Sequence, residues 1–308
     1  MTTDNQGRRL QWGTRQPIKK LFVWQDADYR QFELMDRHGW LPSSYLYAGS
    51  KHLRADETQT KNRLTELYHG SLTQGYFLDR HPQQFAQLNA HARHVVTRLA
   101  PKAEALLAER GTKESVAPTN SAWFIHQLMQ GCVGASLELC VPEGFRYVSR
   151  SEVLTSDKCG DARGTKNPVA IPHNNKTFTP DDLFALERDD KKRYFLIEID
   201  RATESMDGYS GATYFAEKLD VYKKLYASGI FKSWYGFNRP NLLIVTTNPT
   251  RAERIRRHLA RFEESLHGRL YVTDVPNFGA NWRVPAHLFS QLYEKPWLTP
   301  KGEHGIID

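Results

Sequence analysis

Cysteine is scarce in this chain, with three among 308 residues, Cys132, Cys140 and Cys159. An odd number with no metal-ligand spacing excludes a fully paired disulfide framework and a cysteine-held zinc site, and points to a reducing, cytoplasmic setting. Long apolar runs are missing too, which excludes a helical membrane span. The stretch Met1 to Thr14 is polar and lacks the apolar centre of a signal peptide. Acid falls short of base: 35 Asp and Glu against 42 Lys and Arg leave a formal charge of +7, with a pI of about 9.2. That excess suits a polyanionic partner. What is present suffices for folding, since 40% hydrophobic residues over 308 positions can fill the cores of two domains.

The amino-terminal third reads as helices followed by a wing. Asp28 to His38 places Tyr29, Phe32 and Leu34-Met35 at helical spacing and stops at Gly39. A short helix starts in Leu41-Pro42-Ser43-Ser44, with Ser43 as the expected cap. A third helix spans Asp56 to His69. Leu64 and Leu67 face inward there, and Thr58, Gln59, Lys61, Asn62 and Arg63 face out. Strands are expected at Tyr76 to Leu78 and His94 to Leu99, with a helix from Pro101 to Arg110. Three helices, strand, loop, strand and helix describe a winged helix-turn-helix, whose third helix reads base edges while the wing touches phosphate. Residues 1–112 hold about 16 Lys and Arg against about 11 Asp and Glu, most of the net positive charge. Double-stranded DNA is the expected partner. A winged helix that only docks protein is the alternative, but the amide and guanidinium side chains of Thr58 to Arg63 favour bases and phosphates.

Glu109 to Asn120 loses hydrophobic periodicity and gains Gly, Pro and Ser, which sets a domain boundary at 112/113. Residues 113–308 then form a second domain of α/β class. A helix from Ser121 to Leu139 opens it, with Trp123, Ile125, Leu128, Val133 and Leu137 as core. Thr155 to Thr177 reads as a mobile basic loop. One strand covers Leu183 to Leu186, a turn runs from Glu187 to Lys192, and a second strand covers Arg193 to Asp200. A helix is expected at Tyr214 to Ala227, a buried strand at Asn241 to Thr247, an Arg-rich helix at Thr250 to His267 and a last strand at Leu270 to Thr273.

Chemistry concentrates on the second of those strands. Alternation sends Glu198 and Asp200 to one face, opposite Asp181 at the entry of the neighbouring strand. Three carboxylates so placed can hold a hard cation, Mg²⁺ or Mn²⁺, through oxygen. Such a cation orients a water and stabilises charge on a breaking phosphodiester. The bland reading is a wet strand face, but Tyr194 to Ile197 is a continuous apolar run, so acids at its end need partners or a metal. Lys218 borders the apolar stripe of the following helix and faces either the site or solvent.

Pro180-Asp181 with Leu183-Phe184, the block Ile197-Glu198-Ile199-Asp200-Arg201-Ala202-Thr203-Glu204, and Lys218 with Tyr222, all behind a winged helix, resemble the replication-relaxation family of plasmid and integrative-element proteins. That family is related to MobC-type mobilisation relaxases, whose catalytic domain is similar to the PD-(D/E)xK restriction-endonuclease fold. The resemblance implies a DNA-nicking protein of plasmid mobilisation or replication, acting at an origin region with conjugation or replication proteins as further partners. It makes Asp181 and Glu198 metal ligands and Glu204 a supporting acid. The nuclease pattern has Lys two residues after the Glu, where this chain has Asp200. Either Lys218 supplies the charge, with Asp200 as a third ligand, or the domain binds DNA without cutting it, as in a replication or transcription regulator. A defence endonuclease would share the chemistry and differ in target. Hydrolysis by an activated water is expected, because no Tyr or Ser here has the His cluster of a covalent relaxase.

Overall fold

A computed structural model of the chain describes residues 14–54, 56–88, 94–118, 123–203, 215–279 and 282–308. These fall into two compact units, one within Met1–Ala135 and Arg283–Leu288, the other within Ser136–Trp282 and Phe289–Asp308. The division lies inside the helix Phe124–Leu139, beyond the 112/113 boundary expected from composition.

In the first unit, α1 (Asp26–His38) ends at Gly39, whose φ of 76° suits a residue without a Cβ. A two-residue strand β1 (Leu41–Pro42) leads into α2 (Ser43–Ser50). Pro42, not Ser43, precedes the first turn of α2, and no side chain caps it. Helix α3 (Glu57–His69) is capped by Asp56, whose carboxylate accepts from the Gln59 amide at 2.7 Å. After it come β2 (Leu78–Asp79), a short helix α4 (Gln83–Leu88), β3 (Val96–Leu99) and α5 (Pro101–Arg110). The strands pair antiparallel in the order β1–β3–β2. The fully buried Phe32, Leu34, Leu41, Tyr45, Leu46 and Leu67 fill the space between helices and sheet. Sequence periodicity misses β1 and α4 because each is too short to carry a period, and both expected strands begin two residues later than expected.

Helix α6 (Phe124–Leu139) follows. Ile125, Leu128, Val133 and Leu137 are buried on it as expected, whereas Trp123, expected in the core, lies before its first turn and is 74% exposed. The second unit continues with β4 (Arg146–Val148), α7 (Arg150–Thr155), β5 (Ile171–His173), β6 (Lys176–Phe178), β7 (Asp182–Arg188) and β8 (Lys191–Ile199). Then come α8 (Phe215–Ser228), α9 (Ile230–Tyr235), β9 (Asn241–Thr246), α10 (Pro249–Leu259), a 3₁₀ turn at Glu264–Arg269, β10 (Leu270–Asp274), α11 (Gln291–Glu294), β11 (Trp297–Thr299) and β12 (Gly302–His304). Seven strands form one sheet in the order β12–β11–β10–β9–β8–β7–β4. Its centre, β8–β9–β10, is parallel, and the flanking pairs are antiparallel. Every residue of β9 is buried, as a central parallel strand covered on both faces requires.

The turn expected over Glu187 to Lys192 contracts to Asp189-Asp190, both at positive φ (50° and 59°), the backbone of a two-residue hairpin. Glu187 stays in the ladder between two cations, Lys192 opposite it on β8 and Arg146 opposite it on β4. The basic segment read as a mobile loop contains the hairpin β5–β6, turned by Asn174-Asn175 at φ 48° and 60°. Its earlier part is tied to α9, the amides of Asp161 and Ala162 donating to the carbonyls of Ser233 and Trp234 at 2.8 and 2.9 Å. The expected long Arg-rich helix stops at Leu259.

Candidate functional site

The register of β7 with β8 pairs Asp182 with Ile197, so Asp181, one step before β7, stands opposite Glu198. The Asp181 amide donates to the Ile197 carbonyl at 3.1 Å, and its Oδ2 accepts the Ile199 N–H at 2.7 Å. Two backbone bonds therefore fix the aspartate at the entry of the strand. Glu198, near the end of β8, is fully buried.

Helix α8 covers that end of the sheet. Its buried face carries Phe215, Leu219, Tyr222 and Leu225, and Lys218 precedes Tyr222 by four positions, one turn away on the same side. Lys218 turns toward the site. Its Nζ forms an ion pair with Glu198 Oε2 and lies 3.8 Å from Asp181 Oδ2. The Tyr222 hydroxyl donates to Glu198 Oε1. One ammonium is thus shared by two carboxylates from neighbouring strands, and a phenol holds the deeper of them.

Burial pushes the Glu198 carboxyl up to about 8, with the Asp181 charge adding to the rise and the Lys218 ammonium opposing it. Burial likewise drives the Tyr222 phenol well above its usual range, and the Glu198 charge beside it adds to that. Tyr222 therefore acts as a hydrogen-bond donor and not as a phenolate.

Asp200 belongs to a different pair. Its carboxylate accepts two bonds from the Arg251 guanidinium, at 2.7 and 3.0 Å, a third from the Thr246 hydroxyl at 2.8 Å and a fourth from the Ala202 amide at 3.1 Å. Both residues are buried. Asp200 continues the alternation from Glu198, but its lone pairs are occupied. The expected three-carboxylate set of Asp181, Glu198 and Asp200 is not assembled, and no group of three His, Cys, Asp or Glu side chains suited to a metal occurs among the described residues. Glu204 lies outside the described residues.

Arg251, one of the arginines of the expected Arg-rich helix, is only 7% exposed. A cue was available: Asn248 caps α10 and Pro249 starts it. That puts Arg251 in the first turn, where a cation is disfavoured by the helix dipole and needs an acid beside it. Arg254 remains exposed, whereas Arg256 and Arg257 pair with Glu253.

On α3 the five expected DNA-facing residues separate. Thr58, Gln59 and Asn62 are exposed. Lys61 is partly exposed and pairs with Glu57 one turn back at 2.8 Å. Arg63 points the other way: its Nε and Nη2 donate to Asp28 Oδ1 and Oδ2 at 3.0 and 2.7 Å, and its guanidinium lies over the rings of Phe22 and Trp24 at 5.1 and 5.9 Å. The expectation that Arg63 faces outward is corrected by this geometry, because a buried Asp28 claims it.

No helix among the described residues is long and apolar enough to cross a membrane. No curated protein and no solved structure matches the chain. The family model described as replication-relaxation matches residues 32–240, a span that takes in α3, Asp181, Glu198, Lys218 and Tyr222. The chain therefore belongs to the replication-relaxation family, whose theme is replication or mobilisation.

Proposed function

We propose that the protein binds double-stranded DNA through its first unit and nicks it through its second, in a metal-dependent, relaxase-like reaction of mobilisation or replication. The observation that carries this reading is the single Lys218 ammonium placed against two carboxylates, Asp181 and Glu198, at one end of a buried sheet. Helix α3 with its capped amino terminus, two helices before it and the β1–β3–β2 sheet supports a winged helix-turn-helix. Gln59, Asn62 and Thr58 are the side chains available to base edges, and Lys61 to phosphate. The antiparallel strands β4, β7 and β8, the helix α8 and the parallel strand β9 support a nuclease-like second unit of the PD-(D/E)xK kind.

Two carboxylates fit a Mg²⁺ or Mn²⁺ ion that keeps most of its waters and takes a further oxygen from a phosphate, and they do not fit an all-protein cage. Asp181 and Glu198 would hold it, and Asp200 would not. Such an ion supplies an activated water and neutralises charge on the phosphodiester. Lys218 provides the cation that the nuclease pattern puts two residues after the glutamate, delivered from the next helix. Released from the carboxylates, its ammonium can meet a phosphate oxygen. Tyr222 fixes the Glu198 carboxyl through one oxygen and leaves the other toward Lys218.

Calorimetric titration with Mn²⁺ tests the donor set apart from turnover. We expect a binding heat in the parent chain that is lost in Asp181→Asn and in Glu198→Gln and kept in Gln59→Ala. A parent chain that shows no heat in the presence of DNA overturns the metal-dependent reading and leaves a DNA-binding regulator.

A further inference from the structure

The opposite end of the same sheet carries a cleft of about 390 Å³, formed where β7 turns into β8 and where β9 begins. The register pairs Phe195 with Asn241, so the start of β8 lies beside the segment that enters β9. Six cationic side chains line the cleft, Arg188, Lys191, Lys192, Arg193, Arg239 and Arg269, against one acid, Asp189. Five of the six are exposed and Lys192 is partly so. Their observed partners leave most of this charge facing outward. Arg193 donates to the Ile306 carbonyl, Arg269 to the Arg239 carbonyl and Arg239 to the Ser265 hydroxyl, all neutral acceptors. Arg188 meets the exposed Asp189 at 3.6 Å and Lys192 reaches Glu187 at 3.9 Å, both loose surface pairs. The floor is rigid: Tyr194 stacks on Phe237 with ring centres 4.1 Å apart.

Like charges do not gather on a firm concave surface at no cost, and mutual repulsion is relieved when they share a polyanion. We propose that this cleft is a binding site for the phosphodiester backbone of nucleic acid, separate from α3 and from the Asp181–Glu198–Lys218 cluster. It stands on its own residues and does not depend on the nuclease reading. Seven residue steps along β8 lead from Lys191 to Glu198, roughly 23 Å at about 3.3 Å per step. A strand held at both places spans about seven nucleotides at about 3.4 Å each.

Exchange of two exposed cations, Lys191→Glu with Arg239→Glu, tests this in the full chain. Affinity for a short duplex and for its single strand is measured in EDTA over a range of salt, so that no metal chemistry contributes. A matched control reverses two exposed lysines elsewhere, Lys113→Glu with Lys301→Glu. We expect the cleft variant to bind at least about tenfold more weakly to one or both forms, with the slope of log affinity against log salt flattened by about 0.7 to 0.9 for each phosphate no longer neutralised. The form that responds identifies the strand state the cleft takes. Protection of Lys191 from acetylation when DNA is added to the parent chain is the second readout, independent of any variant's folding. Equal weakening in the control pair, or undiminished binding together with no protection, overturns the proposal.

Discussion

Asp28 accepts from two guanidinium groups at once, Arg63 and Arg54, while fully buried beside α3. A buried carboxylate of this kind holds its partners more by the cost of leaving them alone than by net attraction. Asp28→Ala should therefore destabilise the chain by about 3 to 5 kcal/mol, measured by urea unfolding, whereas Asn62→Ala on the exposed face should change stability by less than about 0.5 kcal/mol. His69 is the other informative residue of this unit. Burial first, then the positive charges of Arg80 and Arg15, push it down to about 4, and its Nδ1 accepts the Gln16 amide at 3.1 Å. A histidine lowered from 6.5 in the unfolded chain takes up a proton on unfolding between those values. Its contribution is complete above about 6.5 and is lost as pH falls through about 4. Thermal melting should decline over that window, and His69→Gln, which keeps an acceptor and cannot titrate, should flatten the decline. Parallel curves for the two chains would remove His69 from the acid response. Sequence pattern revealed which of these residues were polar, not which way they turned. Arg63 reads as a DNA contact until Asp28 is seen across from it.

At the scale of elements, Asp200 and Arg251 bind the end of β8 to the first turn of α10, with Thr246 of β9 between them. Their role is structural in this geometry, so Asp200→Asn should lower the melting temperature while leaving Mn²⁺ affinity unchanged. A fall in metal affinity equal to that of Asp181→Asn would return Asp200 to the ligand set. A second joint ties the segment after α7 to α9, where Gly236, at φ 84°, passes so close to the Lys158 carbonyl that a Cβ would lie 1.7 Å from it. Gly236→Ala should cost at least about 1 kcal/mol and loosen protease resistance around residues 156–170. Composition suggested mobility for that stretch because it is rich in Gly, Lys and Asn. The ties that hold it run through backbone groups, which carry no compositional mark. The long elements were legible because α1, α3, α5, α8, β8 and β9 carry clear periods or unbroken apolar runs. The strands β1, β11 and β12, of two or three residues each, were not.

Across the whole molecule, membership of the replication-relaxation family and the excess of base over acid point the same way, toward replication or mobilisation of DNA. The acidic core of the site was legible in sequence because Glu198 ends an apolar strand and Asp181 begins its neighbour. The partition of its partners was not, since Lys218 and Arg251 stand 20 and 51 residues from the acids they neutralise, Glu198 and Asp200. We propose that Asp181, Glu198 and Lys218 form one phosphodiester-cleaving centre. Its most direct measurement is conversion of supercoiled plasmid carrying the cognate origin region to the nicked form, with Mg²⁺ or Mn²⁺ and with EDTA, in the parent chain and in Lys218→Ala. We expect nicking that EDTA abolishes and that Lys218→Ala slows by on the order of 10²-fold or more, with DNA affinity retained. Nicking at the parental rate in Lys218→Ala, or a parent chain that leaves the plasmid supercoiled under every metal condition, would contradict it.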